Sequence, residues 1–162
     1  MGIERKVVID VNVLSIFLVK DHPANSYVSE VMEQGIRGAF IPLVLDYLPI
    51  RAYWVMTSKW GCDKKESAQA VLGFIKAYDK PQYFYLKRES IRRSFELAQE
   101  LRHDLYDCTY LAAALQERAN AILTTDTDFK RLCGRVKLEY VNPVPKSVLN
   151  KFGAWNKHRR TL

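Results

Sequence analysis

The sequence predicts an α/β protein, a parallel sheet covered by helices on both faces. Three observations carry that prediction. Short β-branched or apolar runs alternate with longer amphipathic stretches, the pattern of repeated strand–helix units. The run Ala121-Ile-Leu-Thr124 is apolar without alternation, which suits a strand buried on both faces. At 162 residues and 48% hydrophobic, the chain can also build one domain around a substantial core.

In chain order, Lys6-Val-Val-Ile-Asp10 reads as a first buried strand with Asp10 at its carboxyl end. Val13 to Val19 reads as a helix, broken by His22-Pro23, because the residue before proline disfavours the helical region. A second helix follows, with Val28, Val31 and Met32 inward and its end near Gly35. Ala39 to Ile41 is expected to be a very short strand. Pro42 then opens a helix, Asp46 lies about one turn into it, and Pro49 kinks it.

Asp63-Lys-Lys-Glu66 has the form of a capping box. It should open a helix with Ala68, Val71, Leu72, Ile75 and Tyr78 on one face. Gln82 to Leu86 reads as a third strand. Ser90 to Leu101 reads as a helix with Ile91, Phe95 and Ala98 inward and Arg92 and Arg93 outward.

The stretch from Asp104 to Phe129 organises the rest. Leu101, Leu105, Cys108, Ala112 and Leu115 recur at helical spacing, and Asp104 and Asp107 stand one turn apart at the edge of that stripe. Asn120 is placed to close the helix in the left-handed conformation. The strand Ala121 to Thr124 follows, with Asp126 just past its end. Val136 to Val141 gives a last strand, closed by Asn142-Pro143. Residues 1–145 then make one domain, and residues 146–162 a basic C-terminal tail.

Formal charge is +7 with a sequence pI near 9.3, which points weakly to an anionic partner. Much of the excess lies in the tail, where Lys151, Lys157, Arg159 and Arg160 are interleaved with Phe152 and Trp155. That pattern fits a surface that tracks a nucleic-acid backbone and stacks bases, and equally a solvated terminus. Cys62, Cys108 and Cys133 are odd in number and lack metal-ligand spacing, so a reduced, cytoplasmic protein is expected. The first residues carry no signal-peptide core, and no apolar run is long enough to span a bilayer.

Asp10 and Asp126 at strand ends, Asp107 on a helix and Asp46 at a helix head can share one edge of the sheet, where open parallel sheets bind ligands. Carboxylates packed together repel unless a proton or a cation sits among them. Oxygen-only ligands suit Mg²⁺ or Mn²⁺, and three histidines in the whole chain argue against zinc. Such a site can activate water and stabilise charge on a phosphodiester. Taken singly, each acid has a blander reading: Asp10 as a turn residue, Asp104 as a solvated charge, and Asp126 and above all Asp128 as caps for the next helix.

At these residues the sequence resembles the PIN-domain ribonucleases, including the VapC-type toxins. The resemblance runs over about residues 5 to 143. It is carried by Val-Val-Ile-Asp10-Val-Asn12-Val-Leu, Tyr106-Asp107-Cys-Thr-Tyr-Leu-Ala-Ala-Ala-Leu, and Thr124-Thr125-Asp126-Thr-Asp128-Phe, in that order. It implies a three-layer α/β/α fold with a five-stranded parallel sheet in order 3-2-1-4-5. It also implies metal-binding acids at Asp10, Asp107 and Asp126, with Asn12 and Thr125 orienting carboxylates or water. Further implications are an RNA substrate, an antitoxin partner if the chain is a toxin, and a homodimer formed through the segments around Val28 to Met32 and Ala68 to Ile75.

One residue departs from the family's pattern: where a glutamate usually follows the second strand, this chain has Asp46. The shorter acid is expected to reach the metal through a bridging water.

The leading reading is a Mg²⁺- or Mn²⁺-dependent endoribonuclease in which Asp10, Asp46, Asp107 and Asp126 hold the metal. It would leave 5′-phosphate and 3′-hydroxyl ends. The alternative is an inactive PIN fold that binds RNA or serves as a scaffold. A phosphatase with Asp10 as nucleophile ranks below both, because such enzymes usually carry an acid where this chain has Asn12.

Overall fold

The computed structural model describes residues 4–160, without the side chain of Arg160. Five strands form a single parallel sheet in the order β3-β2-β1-β4-β5. They are β1 (Lys6–Ile9), β2 (Ile41–Leu45), β3 (Gln82–Phe84), β4 (Ala121–Leu123) and β5 (Glu139–Val141). Between them run α1 (Val11–Leu18), α2 (Asn25–Ile36), α3 (Leu48–Trp54), α4 (Lys64–Ala77), α5 (Arg88–Leu101), α6 (Leu105–Gln116) and α7 (Phe129–Arg135). A π-helical turn, Val55–Lys59, extends α3, and α8 (Lys146–Leu149) and α9 (Phe152–Arg160) close the chain. The expected α/β/α architecture and strand order are both present.

Helix α1 packs on α2, α3 and α4, while α5 packs on α6, and α6 on α7. Right-handed crossovers place these two groups on opposite faces of the sheet. The central strands are apolar on both sides, and Val8, Ile9, Leu43, Leu45, Ile122 and Leu123 are fully buried. Burial of each such side chain stabilises the fold by roughly 1.5–3 kcal/mol before entropy is counted. Strand order runs outward from β1 in both directions. The gap between the carboxyl ends of β1 and β4 is therefore the switch point of the sheet.

Local expectations are corrected at several points. Pro42 lies inside β2 rather than at the head of a helix. It is tolerated because the amide of Ile41 already bonds Arg5 across β1, and β3 begins only opposite Leu43, so the missing N–H forfeits no ladder bond. Pro49 sits in the first turn of α3 and starts the helix rather than kinking it. The expected stripe from Leu101 to Leu115 is two helices. Arg102 adopts a left-handed conformation (φ 49°) that ends α5, and Asp104 caps the new start. At the far end of α6 the left-handed residue is Arg118 (φ 53°), not Asn120. Asn120 is engaged elsewhere, its Oδ1 accepting the Lys6 amide at 2.8 Å beside β1.

Asp63 caps α4 as the box motif requires, accepting the Glu66 amide at 2.9 Å. The buried face of α4 is Ser67, Val71 and Phe74, which leaves Leu72 and Ile75 exposed. Helix α5 buries Ser94, Leu97 and Leu101 instead of Ile91 and Phe95. In both helices apolar residues occur around much of the circumference, so spacing alone did not select the inner face. Residues 146–160 fold onto the domain as α8 and α9. Phe152 and Trp155 are half-buried against the core, packing on His22 with ring centroids 4.7 and 4.5 Å away. They are therefore structural anchors and not free stacking platforms.

Candidate active site

Asp10 follows β1 directly and stands at the amino end of α1, where helical N–H groups favour negative charge. It is only 3% exposed. Its Oδ2 accepts the Thr124 hydroxyl at 2.7 Å, and its side chain makes no cap hydrogen bond to the helix start. Burial pushes its pKa from the ordinary 3.8 up to about 6. The Thr124 hydrogen bond and the nearby Asn12 backbone N–H work against that rise, and the charges of Asp107 and Asp126 add to it. The Tyr110 hydroxyl accepts the Val11 amide at 3.2 Å, fixing the start of α1 beside this carboxylate.

Asp107 projects from the first turn of α6 and accepts a 2.6 Å hydrogen bond from His103 Nε2. Burial raises its pKa, the His103 bond opposes the rise, and the charge of Asp126 reinforces it. Asp126 lies past the end of β4. Its amide bonds Thr124 Oγ1 at 3.0 Å and its Oδ1 accepts the Asp128 amide at 2.9 Å. The acid that turns back over the loop is thus Asp126, while Asp128 is exposed and makes no side-chain cap. Asp104 caps α6, accepting the Tyr106 amide at 2.8 Å.

Asp10, Asn12, Asp104, Asp107 and Asp126 line one cavity of about 610 Å³ at the switch point. Asp46 does not. It is exposed at the end of β2, and the side chains that reach the cavity from this segment are Tyr47 and Arg51. The reason is register. Because β2 continues to Leu45, position 46 faces solvent and the next residue turns inward. The expected fourth acid therefore does not line this cavity, and Tyr47 does.

Thr125 is buried but lines a neighbouring cavity, and the hydroxyl that orients Asp10 belongs to Thr124. Arg159 is paired with Asp21 at 2.6 Å, and neither it, Lys151 nor Lys157 lines the acidic cavity. The side chain of Arg160 lies outside the described residues.

The cavity wall holds residues that no sequence motif announced. Arg51 lies 4.6 Å from the ring centroid of Tyr106 and 5.3 Å from that of Trp54, and Lys59 Nζ is 5.6 Å from Trp54. Trp54 and Tyr106 are 44% and 57% exposed, so their faces are open to solvent at the cavity. Cations held over exposed rings beside buried carboxylates can grip a phosphate backbone and stack a base. The i, i+4 and i, i+8 spacing of Tyr47, Arg51 and Val55 was the available signal, hidden by the misplaced start of α3.

The donor set is all oxygen, which fits a hard divalent cation. Among the described residues no group of three acids, histidines or cysteines converges closely enough to hold an ion unaided.

Fold and site together define a doubly wound α/β protein with a carboxylate pocket at its switch point. The chain belongs to the PIN domain family, whose model matches residues 7–135. The fold is similar to that of VapC20 of Mycobacterium tuberculosis, described as a sarcin-ricin loop cleaving toxin. That match has a TM-score of 0.61 and 10% identity, and covers 78% of this chain and 94% of that one. It is also similar to VapBC2 of Rickettsia felis bound to promoter DNA (TM-score 0.64, 13% identity, 85% and 98% covered). A toxin–antitoxin complex from Klebsiella pneumoniae matches with a TM-score of 0.57 at 19% identity, with 85% and 98% covered. Comparison with curated protein sequences gives no significant match.

Proposed function

We propose that this protein is a Mg²⁺- or Mn²⁺-dependent endoribonuclease and the toxin of a toxin–antitoxin pair. The observation that carries the reading is the shared cavity of Asp10, Asp107 and Asp126, with Asp10 buried and its charge unfavourable in the absence of a cation. Membership of the PIN family and the likeness to toxin structures support it.

Asp10 would hold the metal with Asp107 or Asp126 beside it. A bound divalent ion would supply an acidified water and neutralise charge on the scissile phosphate. Thr124 aims the Asp10 carboxylate, and His103 holds Asp107. Arg51 and Lys59 would bind the RNA backbone, with Trp54 and Tyr106 offering faces to unstacked bases. Water attacks phosphorus in line, leaving 5′-phosphate and 3′-hydroxyl ends.

For partners, an apolar groove of about 640 Å³ between α1, α2 and α4, with Phe17, Phe74 and Tyr78 in its wall, offers an antitoxin segment a seat. Exposed Leu72 and Ile75 on α4 support a homodimer. Cys108 and Cys133 are buried free thiols, and among the described residues no helix is long and apolar enough to cross a membrane. These support a cytoplasmic location.

A second reading has its own observation. With Tyr47 at the cavity where the family's pattern places an acid, the chain would be an RNA-binding or scaffold module. Incubating purified protein with RNA and Mg²⁺ or Mn²⁺ separates the two. The nuclease reading expects chelator-sensitive cleavage with 5′-phosphate ends. Intact RNA under both metals, bound but uncut, supports the module.

A further inference from the structure

Helix α9 lies beyond residues 7–135, the part that the family's model matches, yet it packs on the segment that ends the wall of the acidic cavity. Its contacts converge on Trp60 to Cys62. Trp155 meets the buried Trp60 edge-on, with ring centroids 5.3 Å apart, and His22 packs on the two rings at 4.5 and 5.0 Å. Four residues further along α9, Arg159 pairs with Asp21 at 2.6 Å and donates to the Cys62 sulfur at 3.1 Å.

The element held in this way is the π-helical turn Val55–Lys59, a rare conformation found mostly at functional sites. Two backbone bonds close it, from the Trp60 amide to the Val55 carbonyl at 3.0 Å and from the Cys62 amide to the Met56 carbonyl at 2.9 Å. Lys59 is its last residue, directly before Trp60, and its Nζ lies 5.6 Å from the ring centroid of Trp54. Lys59 lines the acidic cavity and also a smaller one of about 190 Å³, which it shares with Trp60 and with Phe152 of α9. The C-terminal helix therefore borders the space beneath the cation.

We infer that α9 is a brace: with Trp155 on Trp60 and Arg159 on Asp21 and Cys62, it fixes the π-helical turn so that Lys59 stays in the wall of the acidic cavity. Trp155 is then a positioning residue. It is uncharged and does not line that cavity, and its effect on RNA is carried by the Lys59 ammonium. The use of Lys59 as a backbone contact rests on the ribonuclease reading, whereas the brace itself does not.

Two measurements on the full chain test it. In amide hydrogen exchange without RNA or metal, Trp155→Ala should speed exchange of residues 55–62 by about tenfold, with a much smaller change in β4. Binding of a fluorescein-labelled oligouridylate in chelator should weaken about fourfold at about 0.15 M salt. The plot of log affinity against log salt should flatten by about 0.7, the worth of one phosphate contact, although the variant removes no charge. Lys59→Ala should do the same, and the double variant no more than either alone. Asp21→Ala, which frees Arg159 and makes the chain more positive, should also weaken binding, where charge alone predicts the reverse. Parental exchange at residues 55–62 in Trp155→Ala overturns the brace, and so does an RNA salt slope that Trp155→Ala leaves unchanged while Lys59→Ala flattens it. If exchange rises while the parent binds no RNA, or binds it and cuts none, the brace stands and the ribonuclease reading falls.

Discussion

The hydroxyl of Thr124 donates to Asp10 at 2.7 Å and accepts the amide of Asp126 at 3.0 Å. One side chain therefore ties the ends of β1 and β4 together and sets two of the acids against each other. Thr124→Val preserves shape and removes both bonds. It should cost about 1–3 kcal/mol of stability, since a buried carboxylate loses its donor. RNA cleavage should fall by about 10–100-fold, the usual effect of disturbing a metal ligand's support. Chemical denaturation and a cleavage time course measure the two effects, and parental values in both would remove Thr124 from the site.

The metal-free protein carries Asp10 at a stability cost. Its folded pKa of about 6 lies above the ordinary 3.8, so between those values the folded state binds more protons than the unfolded one. This contribution to stability is present at pH 4 and is lost as pH rises through about 6. Asp10→Asn should stabilise the chelated protein by about 1–3 kcal/mol at pH 7.5 and by far less at pH 4. Melting curves at both pH values, in chelator, test it. A gain that is equal at both would point to a cause other than charge.

His22 has the opposite sign. Burial among Trp60, Phe152 and Trp155 lowers its pKa from 6.5 to about 4, with Asp21 opposing and Arg159 reinforcing the shift. Between pH 6.5 and 4 the unfolded chain binds the extra proton, so stability falls as pH drops through this window. Protonation should loosen the packing of α9. Protease sensitivity after Asn150 should rise below about pH 5 in the parent, and His22→Gln should flatten that rise.

Tyr47, and not Asp46, lines the acidic cavity. Asp46→Ala should retain parental activity across a metal titration, because the side chain faces solvent. Tyr47→Glu puts an acid at the cavity and should lower the Mg²⁺ concentration needed for half-maximal cleavage. Loss of activity in Asp46→Ala would mean that the start of α3 is rearranged in the working enzyme.

Much of this arrangement was legible in the sequence because it depends on strong local signals. Lys6 to Asp10 and Ala121 to Asp126 are short buried strands running into acids, and the alternation of elements leaves few ways to stack them. Asp10, Asp107 and Asp126 accordingly meet where expected. Asp46 stands outside the cavity lining because β2 carries Pro42 and runs on to Leu45. That proline's harmlessness in β2 depends on where β3 begins, which is a tertiary fact. Arg51 and Trp54, one turn apart on α3, meet Tyr106 of α6 across the switch point, so their spacing in α3 does not announce the aromatic partner. The tail was left open between two readings. What decided it was His22, more than a hundred residues earlier, around which Phe152 and Trp155 pack.

The most direct measurement compares cleavage of one RNA by the parent, Asp10→Asn and Asp107→Asn in Mg²⁺, with folding of each verified by its melting curve. The carboxylate cavity predicts cleavage by the parent that is abolished by chelator, and loss of at least about a hundredfold in each folded variant. Cleavage that survives in folded Asp10→Asn at the parental rate would contradict it.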